Sequence, residues 1–132
     1  MATTSTYAPC ALITGGAKRV GRAVALHLAE AGYDIVLHYH SSAKEAEDLA
    51  ALIREKGRRA HLIRADLSDL EAVGKLFDNL PIGPVTLLVH NAARFIRDTI
   101  EDMKPNVLEE HFRVNVLSPM VLTQAFVKHL PT

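Results

Sequence analysis

The chain has 132 residues, 48% of them hydrophobic, which is enough for one compact domain with a core and too few for two. Its 15 basic and 15 acidic residues cancel, so no overall field draws it onto nucleic acid or an anionic membrane. Cys10 is the single cysteine, which excludes an internal disulfide and a cysteine metal cluster and fits a reducing, cytoplasmic setting.

In chain order, Met1 to Pro9 is polar and lacks the basic start and apolar run of a signal peptide, and no apolar stretch approaches the ~20 residues that cross a bilayer. A soluble chain is expected. Cys10 to Thr14 is a short apolar run ending at a glycine pair, and Arg22 to Ala31 then sets Val24, Leu28 and Ala31 at helical spacing before Gly32. Strand, turn and helix follow one another. Ile35 to Tyr39 is apolar and β-rich, as a buried parallel strand is. Ser42 with Glu45 has the form of a capping box, and Ala46, Leu49, Ala50 and Ile53 make one apolar stripe that Gly57 ends. His61 to Ala65 reads as a third strand. Ser68 with Glu71 repeats the capping-box form ahead of Leu70, Val73, Leu76, Phe77 and Leu80, a helix stopped by Pro81 to Pro84. Val85 to Val89 is a fourth strand, and after a polar loop a long helix runs from about Pro105 to His129. Pro119 inside it predicts a kink or break near Ser118. Repeating β-α units with right-handed crossovers predict an α/β fold of Rossmann type, a doubly wound parallel sheet in three α/β/α layers.

The chemical signal is Thr14-Gly15-Gly16-Ala17-Lys18-Arg19-Val20-Gly21, set between the first strand and the first helix. Glycines there let backbone approach a pyrophosphate, and the helix N-terminus offers free N–H groups and a positive dipole end. Gly16 to Gly21 has the glycine spacing of a P-loop, but Arg22 and Ala23 stand where its lysine and hydroxyl belong, so a nucleotide triphosphatase is not expected. A purely structural glycine turn is the competing reading.

The stretch resembles the T-G-x-x-x-G-x-G turn of the short-chain dehydrogenase/reductase family, with Arg19 in place of the middle glycine. The form T-G-x-A-K-R-x-G is similar to the pteridine reductase branch, as is His38-Tyr39-His40-Ser41-Ser42-Ala43 at the end of the second strand. Ala65-Asp66-Leu67 matches the family's adenine-contacting Asp. Asn91-Ala92-Ala93 matches its turn after the fourth strand, with His90 for the common first Asn, and Asn115 sits where the family has its helix asparagine. The resemblance spans essentially the whole chain. It implies a dinucleotide site of Thr14, Gly15, Lys18, Arg19, Val20, Gly21, His40, Ser41, Ser42, Asp66, Leu67, Asn91, Ala92 and Ala93, and it implies a catalytic relay role for Asn115. A buried amide serving helix backbone is the alternative for Asn115.

Charge argues for NADP(H) within that site. NAD-specific sites place an acid at the end of the second strand, where this chain has His40-Ser41-Ser42 and meets its first acid only at Glu45. A carboxylate there would oppose a 2′-phosphate by up to about 4 kcal/mol. Arg19, His40 and Ser42 are therefore the expected 2′-phosphate pocket, with Ser41 standing where the branch often has Arg. A helix cap at Ser42 and a solvated charge at Arg19 are the plainer readings. His38 and His40 share a strand face, but no third ligand is near, so no metal is expected. Phe95 follows the fourth-strand turn and could stack on a flat heterocycle. By resemblance it is one wall of a pterin sandwich, with Arg19 also on the substrate side, and a loop anchor is the alternative.

The family pairs a Tyr with a Lys four residues later and has a Ser upstream. Tyr7, Tyr33 and Tyr39 are followed at that spacing by Ala11, Leu37 and Ala43. The acid that protonates the substrate as hydride arrives is thus expected beyond Thr132. The usual strand order 3-2-1-4-5-6 would leave Val85 to Val89 as a bare edge. Residues 1–132 are accordingly expected to be the N-terminal, dinucleotide-binding portion of a longer reductase, or to be completed by a second chain. A homo-oligomer, a tetramer built partly on the long helix, is implied by resemblance. The expected activity is NADPH-dependent reduction of a pterin-like or other carbonyl or imine substrate. A 3-oxoacyl-type reductase and a non-catalytic NADP(H)-binding module are the alternatives.

Overall fold

Residues 8–131 are described by a computed structural model; Tyr7, the polar segment before it and Thr132 lie outside the described residues. Four strands, β1 (Cys10–Ile13), β2 (Asp34–Tyr39), β3 (Ala60–Arg64) and β4 (Val85–Val89), make one sheet in the order β3-β2-β1-β4. Every pairing is parallel, with Ala11 level with Ile35 and Leu87, and Leu37 level with Leu62. The helices α1 (Arg19–Glu30), α2 (Ala43–Glu55), α3 (Leu70–Gly74), α4 (Pro105–Phe112) and α5 (Ser118–His129) connect or cover them.

Alternation along β1 separates two cores. Cys10 and Leu12 join Val36, Val73, Phe77, Val114 and Leu122 on one side, while Ala11 and Ile13 join Ile35, Leu37, Ala25, Leu49 and Ile53 on the other. Helices cover both faces, as the doubly wound three-layer expectation requires. Among the described residues no helix is long and apolar enough to cross a membrane. Burial, and then the nearby Asp34 carboxylate, push the Cys10 thiol up to about 11, so this cysteine is a core hydrophobe and not a nucleophile.

Three local expectations need correction. Helix α1 begins at Arg19, three residues before the apolar periodicity does, because the glycine turn itself delivers the first helical residue. Neither capping box forms as spaced. Ser42 is the N-cap of α2 but its hydroxyl makes no capping bond. The N-cap of α3 is Asp69, whose carboxylate accepts from Ala72 N–H, while Ser68 turns back onto Asp66. Helix α3 is also shorter than its apolar stripe, ending at Gly74 and continuing as turns that still bury Leu76 and Phe77.

Around Pro119 the helix does not break but changes type. Arg113–Leu117 forms a π-helical turn between α4 and α5, and Phe112, Leu117 and Ser118 all keep right-handed helical dihedrals. Proline lacks an N–H and crowds the carbonyl four residues back, so a widened turn just ahead of it keeps the axis continuous.

Truncating a fully buried side chain of the α2 stripe checks the assignment of that face. Leu49→Ala is expected to lower unfolding stability by about 2–5 kcal/mol, read by urea denaturation. A loss below about 0.5 kcal/mol would place Leu49 outside the core.

Candidate functional site

The glycine turn is set by sterics at two positions. Gly15 adopts φ +61°, and a Cβ there would meet Ala92 at 3.1 Å. At Gly21 a Cβ would fall 2.4 Å from the Gly15 carbonyl oxygen and 2.6 Å from the Asn91 amide. The turn thus folds onto the start of α1 with no room for a side chain, which is the low backbone profile that an approaching phosphate needs. Arg19 is the surprise, with φ +51°. A left-handed backbone costs a non-glycine residue roughly 1–2 kcal/mol, and this is the position where the resembling family has glycine.

Two polar locks hold the turn to its neighbours. His38, only 2% exposed on β2, accepts the Gly15 N–H at Nδ1 (3.0 Å) and donates from Nε2 to the Ala65 carbonyl (2.9 Å). Those bonds fix a neutral ring with the proton on Nε2, and burial holds its pKa below the ordinary value. Both nitrogens are committed, so His38 cannot share a metal with His40. Across the sheet, the Thr14 hydroxyl accepts from the backbone N–H groups of Asn91 and Ala92, each at 3.0 Å. The Asn91 side chain in turn donates to the carbonyls of Thr14 (3.1 Å) and Gly15 (3.0 Å). Sequence reasoning missed both locks. Their signals were a polar residue ending an otherwise apolar strand and an amide directly after one.

Around the turn the carboxyl ends of the strands open into two adjoining clefts. One, of about 220 Å³, is lined by Gly15, His38, His40, Asp66, Leu67, Ala92, Ala93, Arg94, Glu110 and Val114. The other, of about 150 Å³, is lined by Gly15, Ala17, Lys18, Tyr39, His40, Ser41 and Ser42. Gly15 and His40 belong to both, so nine of the expected dinucleotide residues line one continuous crevice. The Ser68 hydroxyl and backbone N–H bond Asp66 Oδ1 at 2.7 and 2.9 Å and lower its pKa, so Asp66 stays an acceptor at neutral pH. Arg64 Nε donates to the His40 carbonyl at 3.0 Å and steadies the end of β2.

The remaining expected residues lie apart from the clefts. Thr14, Gly21 and Asn91 act behind the crevice as its scaffold, as described above. Arg19 and Val20 are exposed at the start of α1, Val20 by 67%. Phe95 is 84% exposed on the segment after β4 and lines neither cleft. Asn115 is not a buried amide serving its own helix. It clasps the Arg94 backbone from both sides, donating to its carbonyl and accepting its N–H, each at 2.8 Å. Arg94 also pairs with Glu110 at 3.1 Å, and His111 Nε2 accepts the Ile96 N–H at 2.8 Å, so three contacts lay this segment along α4 and the π turn. A larger hollow of about 700 Å³ lies along α4, lined by Ser68, Leu108, Phe112, Arg113 and Leu117 among others. It is open and touches none of the glycine turn.

Residues 9–132 match the family model described as short chain dehydrogenase. The chain is 31% identical over 123 residues to the uncharacterized oxidoreductase YgfF of Escherichia coli K12, covering 91% of this chain and 50% of that protein. In structure it is similar to a short chain dehydrogenase from Burkholderia cenocepacia J2315 in complex with NADP, with TM-score 0.90, 35% identity, and coverage of 94% of this chain and 51% of the other. It is also similar to FolM alternative dihydrofolate reductase 1 from Brucella canis complexed with NADP, with TM-score 0.83, 34% identity, and coverage of 93% and 50%. The chain spans about half the length of the curated relatives it matches.

The His38 lock gives a pH dependence of known sign. Burial lowers its pKa below the ordinary imidazole value of 6.5, so the stability it carries is present above about pH 6.5 and is lost as pH falls below it. The slope is up to about 1.4 kcal/mol per pH unit. His38→Phe is expected to cost about 1–3 kcal/mol at neutral pH, because Gly15 N–H and Ala65 C=O lose their partner, and to flatten the acid limb of a urea-derived stability profile. An equally steep limb in the variant would remove His38 as its cause, the partly buried His90 contributing with the same sign. Gly21→Ala, by overpacking against Gly15 and Asn91, is expected to lose about 1–3 kcal/mol in the same assay.

Proposed function

The chain belongs to the short-chain dehydrogenase family, and from that premise we propose that it forms the dinucleotide-binding half of an NADP(H)-dependent oxidoreductase. One observation carries the choice of cofactor. The cleft at the end of β2 is lined by Lys18, His40, Ser41 and Ser42, with no carboxylate at the strand end, where a ribose 2′-hydroxyl reader would need one. A 2′-phosphate there meets a cation, hydroxyl donors and the positive end of α2.

The residues present fit such a group. Gly15 and Gly21 keep the turn bare beneath a pyrophosphate at the start of α1, and Asp66 and Leu67 border an adenine. Asn91, Ala92 and Ala93 form the wall on the side of β4. The NADP and NADPH complexes among the similar structures support the reading. When bound, the dinucleotide supplies or accepts a hydride at its nicotinamide; the chain's own work is to bind it, orient it and keep its anionic groups neutralised. Asn115 serves by holding the Arg94 backbone, and so the segment after β4, against α4.

For the substrate, a pterin or related carbonyl or imine compound is the reading favoured by the likeness to an alternative dihydrofolate reductase and by Arg19 in the glycine turn. Phe95 could join such a substrate only by folding its segment over the crevice.

Titration of the whole protein with each dinucleotide tests the cofactor. NADPH is expected to bind at least about tenfold more tightly than NADH, a difference of about 1.4 kcal/mol, and equal affinities would sink the 2′-phosphate assignment. Arg19→Gly is expected to split stability from binding. Relief of the left-handed strain, offset by glycine's greater unfolded-state entropy, leaves stability unchanged or raised by up to about 1 kcal/mol, while NADPH affinity falls. Loss of both together would make Arg19 a fold residue.

A further inference from the structure

The cation of the β2 cleft is already engaged. Lys18 Nζ lies 3.8 Å from Glu45 Oε1, and both side chains are about half exposed. Glu45 stands in the first turn of α2, one helical turn beyond the Ser42 N-cap, and its carboxylate adjoins Lys18, which lines the cleft with His40, Ser41 and Ser42. Its neighbour Lys44 is paired with Asp48 at 3.0 Å and offsets Glu45 only as a secondary interaction. Arg64 is drawn to the His40 carbonyl behind the strand end. The negative charge thus sits on the cleft side of the helix start with Lys18 as its nearest compensation.

We propose that Glu45 is a specificity-determining residue that limits how strongly this site prefers a 2′-phosphorylated dinucleotide. The proposal deepens the cofactor reading above and rests on it. Two effects act together. A 2′-phosphate entering the cleft competes with Glu45 for Lys18, and drawing Lys18 away leaves the Glu45 carboxylate without its ion-pair partner, where like charges repel. A dinucleotide with a free 2′-hydroxyl brings no charge to that place and meets neither effect. Glu45 does not abolish the preference, since the hydroxyls, His40 and the helix N-terminus are still there. It sets its size and makes it sensitive to salt.

The test is a set of dissociation constants for NADPH and NADH, read by nicotinamide fluorescence, in the whole protein and in its Glu45→Gln, Lys18→Gln and doubly substituted forms. Glutamine keeps the length of Glu45 while removing its charge. Glu45→Gln is expected to tighten NADPH by roughly two- to fivefold, the range of an exposed ion pair, and to leave NADH unchanged. The gain is expected to shrink at high salt and to be smaller on the Lys18→Gln background. An equal gain for NADH, or no gain for NADPH in a protein that prefers NADPH, overturns the role of Glu45 and leaves the cofactor reading standing. A starting protein with no preference for NADPH overturns the cofactor reading and the inference with it.

Discussion

Everything at the strand ends depends on a histidine that must stay neutral. The Gly15 amide sits at a left-handed turn where no regular ladder can receive it, and His38 Nδ1 is the acceptor that does. The same ring reaches Ala65 on the far side, so one imidazole joins the glycine turn, β2 and the exit of β3. A buried amide without a partner costs about as much as a lost hydrogen bond and its desolvation together. The ring therefore determines where the turn rests, and with it where the crevice opens between Gly15 and His40.

The second lock works from the other side. Four hydrogen bonds cross the β1 and β4 ends: the Thr14 hydroxyl accepts from Asn91 and Ala92 N–H, and the Asn91 amide donates to the Thr14 and Gly15 carbonyls. Between the two locks the turn has little freedom left, which explains how Arg19 can be held at φ +51°. Strain of this kind persists only where surrounding contacts over-determine it. The site thus combines a tightly bonded floor, made of glycines and backbone, with an exposed charged rim made of Lys18, Arg19 and Glu45.

Much of this architecture was legible in the residues. The four strands lie within a residue of their apolar runs; β1 and β2 are buried almost throughout and leave a near-continuous hydrophobic signature, while β3 and β4, only partly buried, were found by β-rich runs between turn signals. Gly15 and Gly21 were readable as phosphate-turn glycines, and the structure gives each a steric reason. Helix starts were the weak point. Ser42 does stand at the N-cap of α2 but its hydroxyl makes no capping bond, whereas Ser68 is displaced as the cap of α3 by Asp69 and finds an acceptor in Asp66. Asn115 and Phe95 were the other gap. Their positions depend on how the segment after β4 lies across α4, and that path is set by contacts between residues about 20 apart, which no local pattern encodes. His38 was noticed for its spacing from His40, a metal argument, when its meaning lay in its being a buried polar side chain within an otherwise apolar run of β2.

The π turn ahead of Pro119 has a consequence for how the last helix is phased. In an uninterrupted α-helix each residue advances about 100°, so Val114 and Leu122, eight apart, would point about 80° away from each other. Both are buried in the same core, Val114 at 9% and Leu122 at 1% exposure. A π turn absorbs about one extra residue without lengthening the axis by a full step, which brings the two side chains back to nearly the same bearing. It acts as a one-residue vernier, letting a single rod present Asn115 to the segment after β4 at one end and Leu122 to the core at the other. Deleting one residue between Arg113 and Leu117 would give a more regular helix that aims one of those groups at the wrong neighbour.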